Sequence, residues 1–300
     1  MGEGMDGWFR EKREELIISK QFGDYIPSSF FGAADGVYRT YPARQSEDCS
    51  WYDPRKRKWF VAASSGPKDV IVVLDASGSM SFGLPPNTRM ELAKSAAKEV
   101  LSRLTIADYF TVVRFSKTAE NLMESISDRS GNANGGGLVR GTEENILLAS
   151  DIIDGIQPDG STNFIGAFDT VLQAIQDAAN RESTSGCNTA VLFLTDGTMD
   201  KCKPRNACSE ADHEANLFST VTDVAATGAK VFTYSLGDSA DTTLVKDMAC
   251  RSGGLWSAIP DGEDLDGYMG NYYKLFATGL GSESNSDFAA WVEPYLYDDG

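Results

Sequence analysis

The sequence has few of the residues that build common catalytic centres. Its 300 residues include one histidine and five cysteines. With only His213 available and no CxxC pair, both a zinc site and a Ser-His-Asp arrangement are disfavoured. No GxGxxG or GxxxxGK[ST] phosphate-binding loop is present, since Gly135–Gly137 lacks the required ending. No apolar run approaches the roughly 20 residues of a membrane-spanning helix.

Positive charge is also scarce. There are 27 lysine and arginine residues against 44 aspartate and glutamate residues, which gives a net charge of −17. This balance argues against a nucleic-acid partner and against tight adhesion to an anionic membrane surface. It suits an extracellular protein or one that handles cations.

The cysteines and the N terminus bear on the compartment. Cys202 and Cys208 flank a short polar stretch and can close a small disulfide, but pairing among all five cysteines stays open (Cys49, Cys187, Cys202, Cys208 and Cys250). Their use leans toward an oxidising compartment. The N terminus is polar, with Arg10–Arg13 fully charged, and is no signal peptide.

From residue 69 to about 278, predicted strands alternate with predicted helices. Strands are expected at 70–74, 110–115, 190–194, 230–236 and 255–259, and helices at 88–104, 144–156, 163–182, 210–226, 242–251 and 265–275. This alternation predicts an α/β fold with a doubly wound, mostly parallel sheet. Before it, short strands are expected at 36–40 and 59–63, with a linker at 64–67.

Polar side chains follow the predicted strands where each strand ends. Asp75, Ser77 and Ser79 come after the first buried strand, and alternate residues of an extended segment face the same way. Asp196 follows another buried strand, and Thr162 lies at the start of a helix. In doubly wound sheets, ligands bind at the carboxyl ends of the strands. We therefore expect these five side chains to converge.

Two carboxylates and three hydroxyls form an all-oxygen set, which suits a hard divalent cation such as Mg²⁺ or Mn²⁺. If either carboxylate acts through water, the cation stays electrophilic and attracts a carboxylate from a partner. Such a site binds and needs no chemical step.

The motif resembles the von Willebrand factor A (VWA) family, whose metal ion-dependent adhesion site reads DxSxS, then Thr, then Asp. Asp75, Ser77, Ser79, Thr162 and Asp196 match it in order. The resemblance implies that the serines and the threonine contact the metal directly and that the aspartates act largely through water. It implies Mg²⁺, or Mn²⁺ or Ca²⁺, as the cofactor, and a protein ligand that supplies a carboxylate.

The flanking segments resemble a second family. Trp51–Phe60 is similar to the YDPRxRxWY signature of Cache sensor domains, and 290–296 looks like the strand where such a domain resumes. A VWA domain inserted in a Cache domain is the architecture of the α2δ auxiliary subunits of voltage-gated calcium channels. The resemblance implies Cache segments at 1–68 and 279–300, a VWA domain at 69–278, and amino-acid ligation by Tyr52, Arg57 and Trp59.

This architecture implies an extracellular or membrane-associated binding protein, with a calcium-channel pore subunit as a candidate partner. The simplest expectation for the chain itself is a partial product of such a protein. One alternative is a small-molecule sensor that works through the Cache segment. Another is a phosphotransferase of haloacid dehalogenase type, but that class needs a second carboxylate where Ser77 stands. We therefore expect no enzyme activity.

Overall fold

The computed structural model describes residues 29–32, 38–41, 58–84, 87–124, 137–197, 199–200, 209–238, 240 and 242–261. The chain divides into two compact units, Met1–Val61 and Ala62–Gly300. In the first unit, β1 (Ser29–Gly32) pairs with β2 (Tyr38–Tyr41) in antiparallel fashion. The strand predicted at 36–40 corresponds to β2, and β1 was not predicted.

The strand predicted at 59–63 is wrong, because this segment lies in helix α1 (Lys58–Ser65). A short apolar run does not by itself distinguish a strand from a buried helical turn, and the two alanines in this run favour the helix. The helix also takes in the first half of the predicted linker. Its end is marked by Gly66, which has a φ of +65° and donates its N–H to the Ala62 carbonyl.

The predicted amino-acid ligands fall at this point of the chain. Tyr52 and Arg57 lie outside the described residues. Trp59 belongs to α1, but its side chain is also outside them. The Cache site therefore stays a prediction.

The described residues of the second unit form a seven-stranded sheet of order β5-β4-β3-β7-β8-β9, with β6 also paired to β4. Five strands run parallel: β3 (Lys68–Asp75), β4 (Tyr109–Phe115), β7 (Asn188–Thr195), β8 (Lys230–Leu236) and β9 (Trp256–Ile259). The short strands β5 (Ala119–Asn121) and β6 (Val139–Arg140) are antiparallel to β4. The predicted mostly parallel sheet is confirmed.

The helices of this unit are α2 (Arg89–Ser102), α3 (Glu143–Asp154), α4 (Phe164–Asn180), α5 (Glu210–Ala226) and α6 (Thr242–Arg251). Side-chain caps explain several of the starts. Thr88 accepts the Glu91 N–H, and Ser209 forms a reciprocal capping box with Asp212. The helix predicted at 265–275 lies outside the described residues.

The core lies on both faces of the sheet. Strand β3 is buried along its whole length because it is central and flanked on each side by another parallel strand. Phe193 of β7 packs against three further rings, those of Phe115, Phe164 and Phe168, with centroid separations between 5.0 and 5.1 Å. Within the described part of the chain, no helix combines the length and apolar character needed to span a membrane.

The amino-terminal edge of the sheet is closed by a buried ion pair. Lys68 and Asp108 are almost fully buried, and the Lys68 ammonium lies 3.0 Å from Asp108 Oδ1. The other carboxylate oxygen, Oδ2, accepts hydrogen bonds from the N–H and the hydroxyl of Thr105, at 2.8 and 3.0 Å. Both charges at this edge are therefore compensated within the protein.

We expect Asp108→Ala to lower the free energy of unfolding by about 3–5 kcal/mol, because it leaves the Lys68 ammonium buried without a counter-charge. Urea unfolding followed by circular dichroism measures this loss. The control is Asp154→Ala, which removes the exposed partner of Lys98 and should cost less than about 1 kcal/mol. Equal losses in the two variants would contradict a special role for the buried pair.

Candidate metal centre

Three loops meet at the carboxyl edge of the parallel sheet. The first follows β3, runs from Asp75 through Ala76 and Ser77, and continues into a 3₁₀ turn at Gly78–Ser81. Backbone hydrogen bonds fix its course. The Ala76 N–H donates to the Phe115 carbonyl at 2.7 Å, while the Ala76 carbonyl accepts the Asp159 N–H at 2.7 Å.

The second loop precedes α4 and carries Thr162. Gly160 has a φ of +82°, and its carbonyl accepts the Gly78 N–H at 3.1 Å, which ties this loop to the first. Asn163 caps α4 by accepting the Gly166 N–H at 3.0 Å. The Thr162 carbonyl accepts the Asp200 N–H at 2.9 Å, which ties the second loop to the third. The start of α4 is therefore where the sequence predicted it.

Asp75 is fully buried and held by two donors. Its Oδ1 accepts the Ser77 N–H at 2.8 Å, and its Oδ2 accepts the Thr195 hydroxyl at 2.6 Å. Thr195 Oγ1 in turn accepts the Gly197 N–H at 3.1 Å. Thr195 was not predicted as a site residue, although it directly precedes Asp196. It links the first loop to the third.

Burial raises the pKa of the Asp75 carboxyl to about 6. Hydrogen bonds from Thr195 and Ser77 act in the opposite direction, and the charge of Asp196 adds to the increase. The protein thus places two carboxylates close enough to repel one another, in a setting where an ionised carboxylate is poorly solvated. A bound cation would relieve both effects.

Asp196 has one oxygen without a partner. The residue is 3% exposed, and its Oδ2 lies 3.5 Å from Arg89 Nη1. Its Oδ1 is buried and has no hydrogen-bond partner among the described residues. A buried carboxylate oxygen left in this way requires an ion or an ordered water.

The hydroxyls of the first loop complete the set. Ser77 Oγ and Ser79 Oγ lie 3.1 Å apart, on the same side of the turn. Ser77 and Thr162 are buried, and Ser79 is half-buried. The structure thus brings together the loops that carry all five predicted residues.

These donors fit a hard divalent cation. Among the described residues, no group of three or more histidine, cysteine or acidic side chains is arranged to hold a metal ion. The site instead combines two carboxylates with hydroxyls, which are suitable ligands for Mg²⁺ or Mn²⁺. The orphaned Oδ1 of Asp196 and the raised pKa of Asp75 are both consistent with a cation at this point.

With metal ions removed by a chelator, we expect the free energy of unfolding of Asp75→Asn to rise relative to that of the wild type as the pH increases from 5 to 7.5. The folded pKa of Asp75 is raised, so its stabilising contribution is complete below the unfolded value of 3.8 and is lost as the pH passes 6. Between pH 5 and pH 7.5, the free energy of unfolding of the wild type should fall by about 1.4 kcal/mol relative to that of Asp75→Asn. Urea unfolding at each pH measures it, and parallel pH profiles of the two proteins would contradict the burial effect.

Comparison with known proteins agrees with this geometry. Residues 70–198 match the family model of the von Willebrand factor type A domain, a span that contains all five predicted residues. The mouse voltage-dependent calcium channel subunit alpha-2/delta-2 is 28% identical over 257 residues, or 84% of this chain. The chain spans only 20% of the length of that relative.

Solved structures show the same fold. A von Willebrand factor type A protein from Catenulispora acidiphila superposes with a TM-score of 0.53 and 20% identity, over 73% of this chain and 44% of its own. Proximal thread matrix protein 1 from the mussel byssus, with a zinc-occupied metal ion-dependent adhesion site, superposes with a TM-score of 0.50 and 17% identity. The superposition covers 71% of this chain and 46% of the mussel protein chain. Residues 70–198 thus match the von Willebrand factor type A domain, the sheet and its helices have the fold of such domains, and the chain resembles the α2δ calcium channel subunits.

Proposed function

We propose that this chain is a metal ion-dependent protein-binding module. The observation that carries the proposal is the buried Oδ1 of Asp196, which has no hydrogen-bond partner among the described residues and lies at the edge where the three loops meet. An enzyme with the same residues is less well supported. Ser77, whose hydroxyl is 3.1 Å from Ser79 Oγ, occupies the position of the second carboxylate of a haloacid dehalogenase-type phosphotransferase.

The roles follow from the donor chemistry. Ser77, Ser79 and Thr162 would hold a divalent cation through their hydroxyls, while Asp75 and Asp196 would act mainly through bound water. The bound cation would supply positive charge that attracts a carboxylate from the partner. Because Asp75 and Asp196 would be separated from the cation by water, they would neutralise its charge incompletely. The cation would therefore still attract a third carboxylate, that of the partner.

Apolar side chains beside the first loop favour a protein partner over a free anion. Phe82 directly follows the 3₁₀ turn and is 64% exposed, and Leu84 is 84% exposed. Exposed apolar residues next to a charged site are typical of interaction surfaces. We infer a partner whose acidic residue is flanked by apolar side chains.

The relatives point to the class of partner. The matched curated proteins are named as voltage-dependent calcium channel subunits. We propose that the partner of this module is the pore-forming subunit of such a channel, and that the module faces the extracellular side.

The first test is cation binding by the purified chain. We expect Mg²⁺ and Mn²⁺ to bind at one site in calorimetry, and Asp75→Asn to weaken that binding at least about tenfold, because it removes a charge from the site. The Asn side chain keeps the size of the original, so the fold should persist by circular dichroism.

The matched control is Asp69→Asn. Asp69 is also a buried carboxylate with a raised pKa, and it lies on the same strand six positions earlier, about 20 Å away. Its oxygens already accept hydrogen bonds from Thr184 Oγ1 and the Ser185 N–H. Cation affinity should be unchanged in this variant. Lack of binding by a folded wild-type chain would contradict the proposal.

The second test concerns the partner. When the chain is co-expressed with a calcium-channel pore subunit, we expect co-precipitation in excess Mg²⁺ and its loss when a metal chelator is added. Asp75→Asn should lose the complex in both conditions, and Leu84→Ser should weaken it without affecting cation binding. Co-precipitation that is the same with and without chelator would contradict a metal-mediated contact.

A further inference from the structure

Arg89 occupies an unfavourable position for a cation. It is the first residue of α2, and the positive end of the helix dipole lies there. It is also only 7% exposed. A buried guanidinium at a helix N terminus has to be compensated by specific contacts, and two carboxylates at the carboxyl edge of the sheet, Asp261 and Asp196, contribute to this.

The main anchor of Arg89 is Asp261, which follows β9. Nε lies 3.1 Å from Asp261 Oδ1 and Nη2 lies 3.2 Å from Oδ2, so the pair is bidentate. This contact lowers the pKa of Asp261. The guanidinium also rests on Gly237 at the end of β8, where the Cβ of any other residue would overlap it. The position of the guanidinium is therefore fixed.

The remaining contact of interest is with Asp196. Nη1 lies 3.5 Å from Asp196 Oδ2, while Oδ1 of the same carboxylate has no partner among the described residues. The two oxygens of Asp196 are thus unequal. Oδ2 faces the Arg89 guanidinium, whereas Oδ1 is available to the proposed metal site.

We propose that Arg89 is a positioning residue that occupies one oxygen of Asp196, restricts this carboxylate to one-oxygen contact with the site, and thereby favours Mg²⁺ over Ca²⁺. The inference rests on the proposed metal site. Its chemical basis is the difference between the two ions. Mg²⁺ requires a compact octahedron, whereas Ca²⁺ takes six to eight oxygens and often both oxygens of one carboxylate.

Removal of the guanidinium frees Oδ2. In Arg89→Met, Asp196 gains the freedom to present both oxygens, and a positive charge that repels either ion is lost. We expect the ratio of the Mg²⁺ to the Ca²⁺ dissociation constant, measured by calorimetry on the full chain, to shift toward Ca²⁺ by about tenfold. Arg89→Lys should shift this ratio less, in the same direction, because a single ammonium group cannot contact both Asp261 and Asp196 as the guanidinium does.

Arg103→Met is the matched control. Arg103 is also a buried, ion-paired arginine next to α2, but it follows the other end of the helix, about 20 Å from Arg89. Its removal should lower stability and leave the ratio of the two dissociation constants unchanged. A ratio shift of equal size in Arg103→Met would mean that loss of stability, and not the contact with Asp196, changes cation preference.

A double-mutant cycle tests whether Arg89 affects cation preference through its contact with Asp196. In the Asp196→Asn background, Arg89→Met should no longer shift the ratio. A shift that persists there, or an unchanged ratio in both Arg89→Met and Arg89→Lys, would overturn the inference while leaving the metal site intact. A folded wild-type chain that binds neither ion would instead contradict the metal site itself, and the inference with it.

Discussion

The carboxyl edge of the sheet is governed by the burial of two neighbouring carboxylates, Asp75 and Asp196. Asp75 is held in place by Thr195 and Ser77, and burial together with the charge of Asp196 raises its pKa to about 6. Neither carboxylate has a lysine or arginine to itself among the described residues, because Arg89 is engaged mainly by Asp261. A bound cation would offset the cost of burying these two carboxylates, as the proposed function requires.

At the opposite edge of the sheet, burial also raises the pKa of a carboxyl group, that of Asp69, but the protein supplies partners for the buried charges. There, Lys68 and Thr105 compensate Asp108 completely within the protein, and Asp69 accepts hydrogen bonds on both oxygens. The two edges belong to the same strands, and the charged side chains at both are buried. The two edges therefore differ in charge compensation, and this difference supports the proposal that the carboxyl edge receives a cation.

The sequence predicted the sheet and the edge of the site because both depend on local patterns. Buried parallel strands are continuous apolar runs, and Asp75, Ser77 and Asp196 directly follow such runs. The segment 59–63 was wrongly predicted as a strand because five apolar residues fit either structure. Strands β5 and β6 were missed because two or three residues carry no periodicity.

Arg89 was missed for a different reason. Its partners Asp196 and Asp261 are 107 and 172 residues away, and no local pattern relates them. The available signal was indirect, namely an arginine where the helix dipole disfavours a cation.

The charges at this edge also explain how a bound cation would remain attractive to a partner. Arg89 and Asp261 offset each other through the bidentate contact, so Asp75 and Asp196 together balance one divalent ion. If both were direct ligands, a third carboxylate would meet a neutralised site. With Asp196 Oδ2 facing Arg89 and Asp75 committed to Thr195 and Ser77, neither carboxylate is free to enclose the ion. The hydroxyls of Ser77 and Ser79 are neutral ligands, so they would leave the positive charge of a bound cation available to a partner's carboxylate.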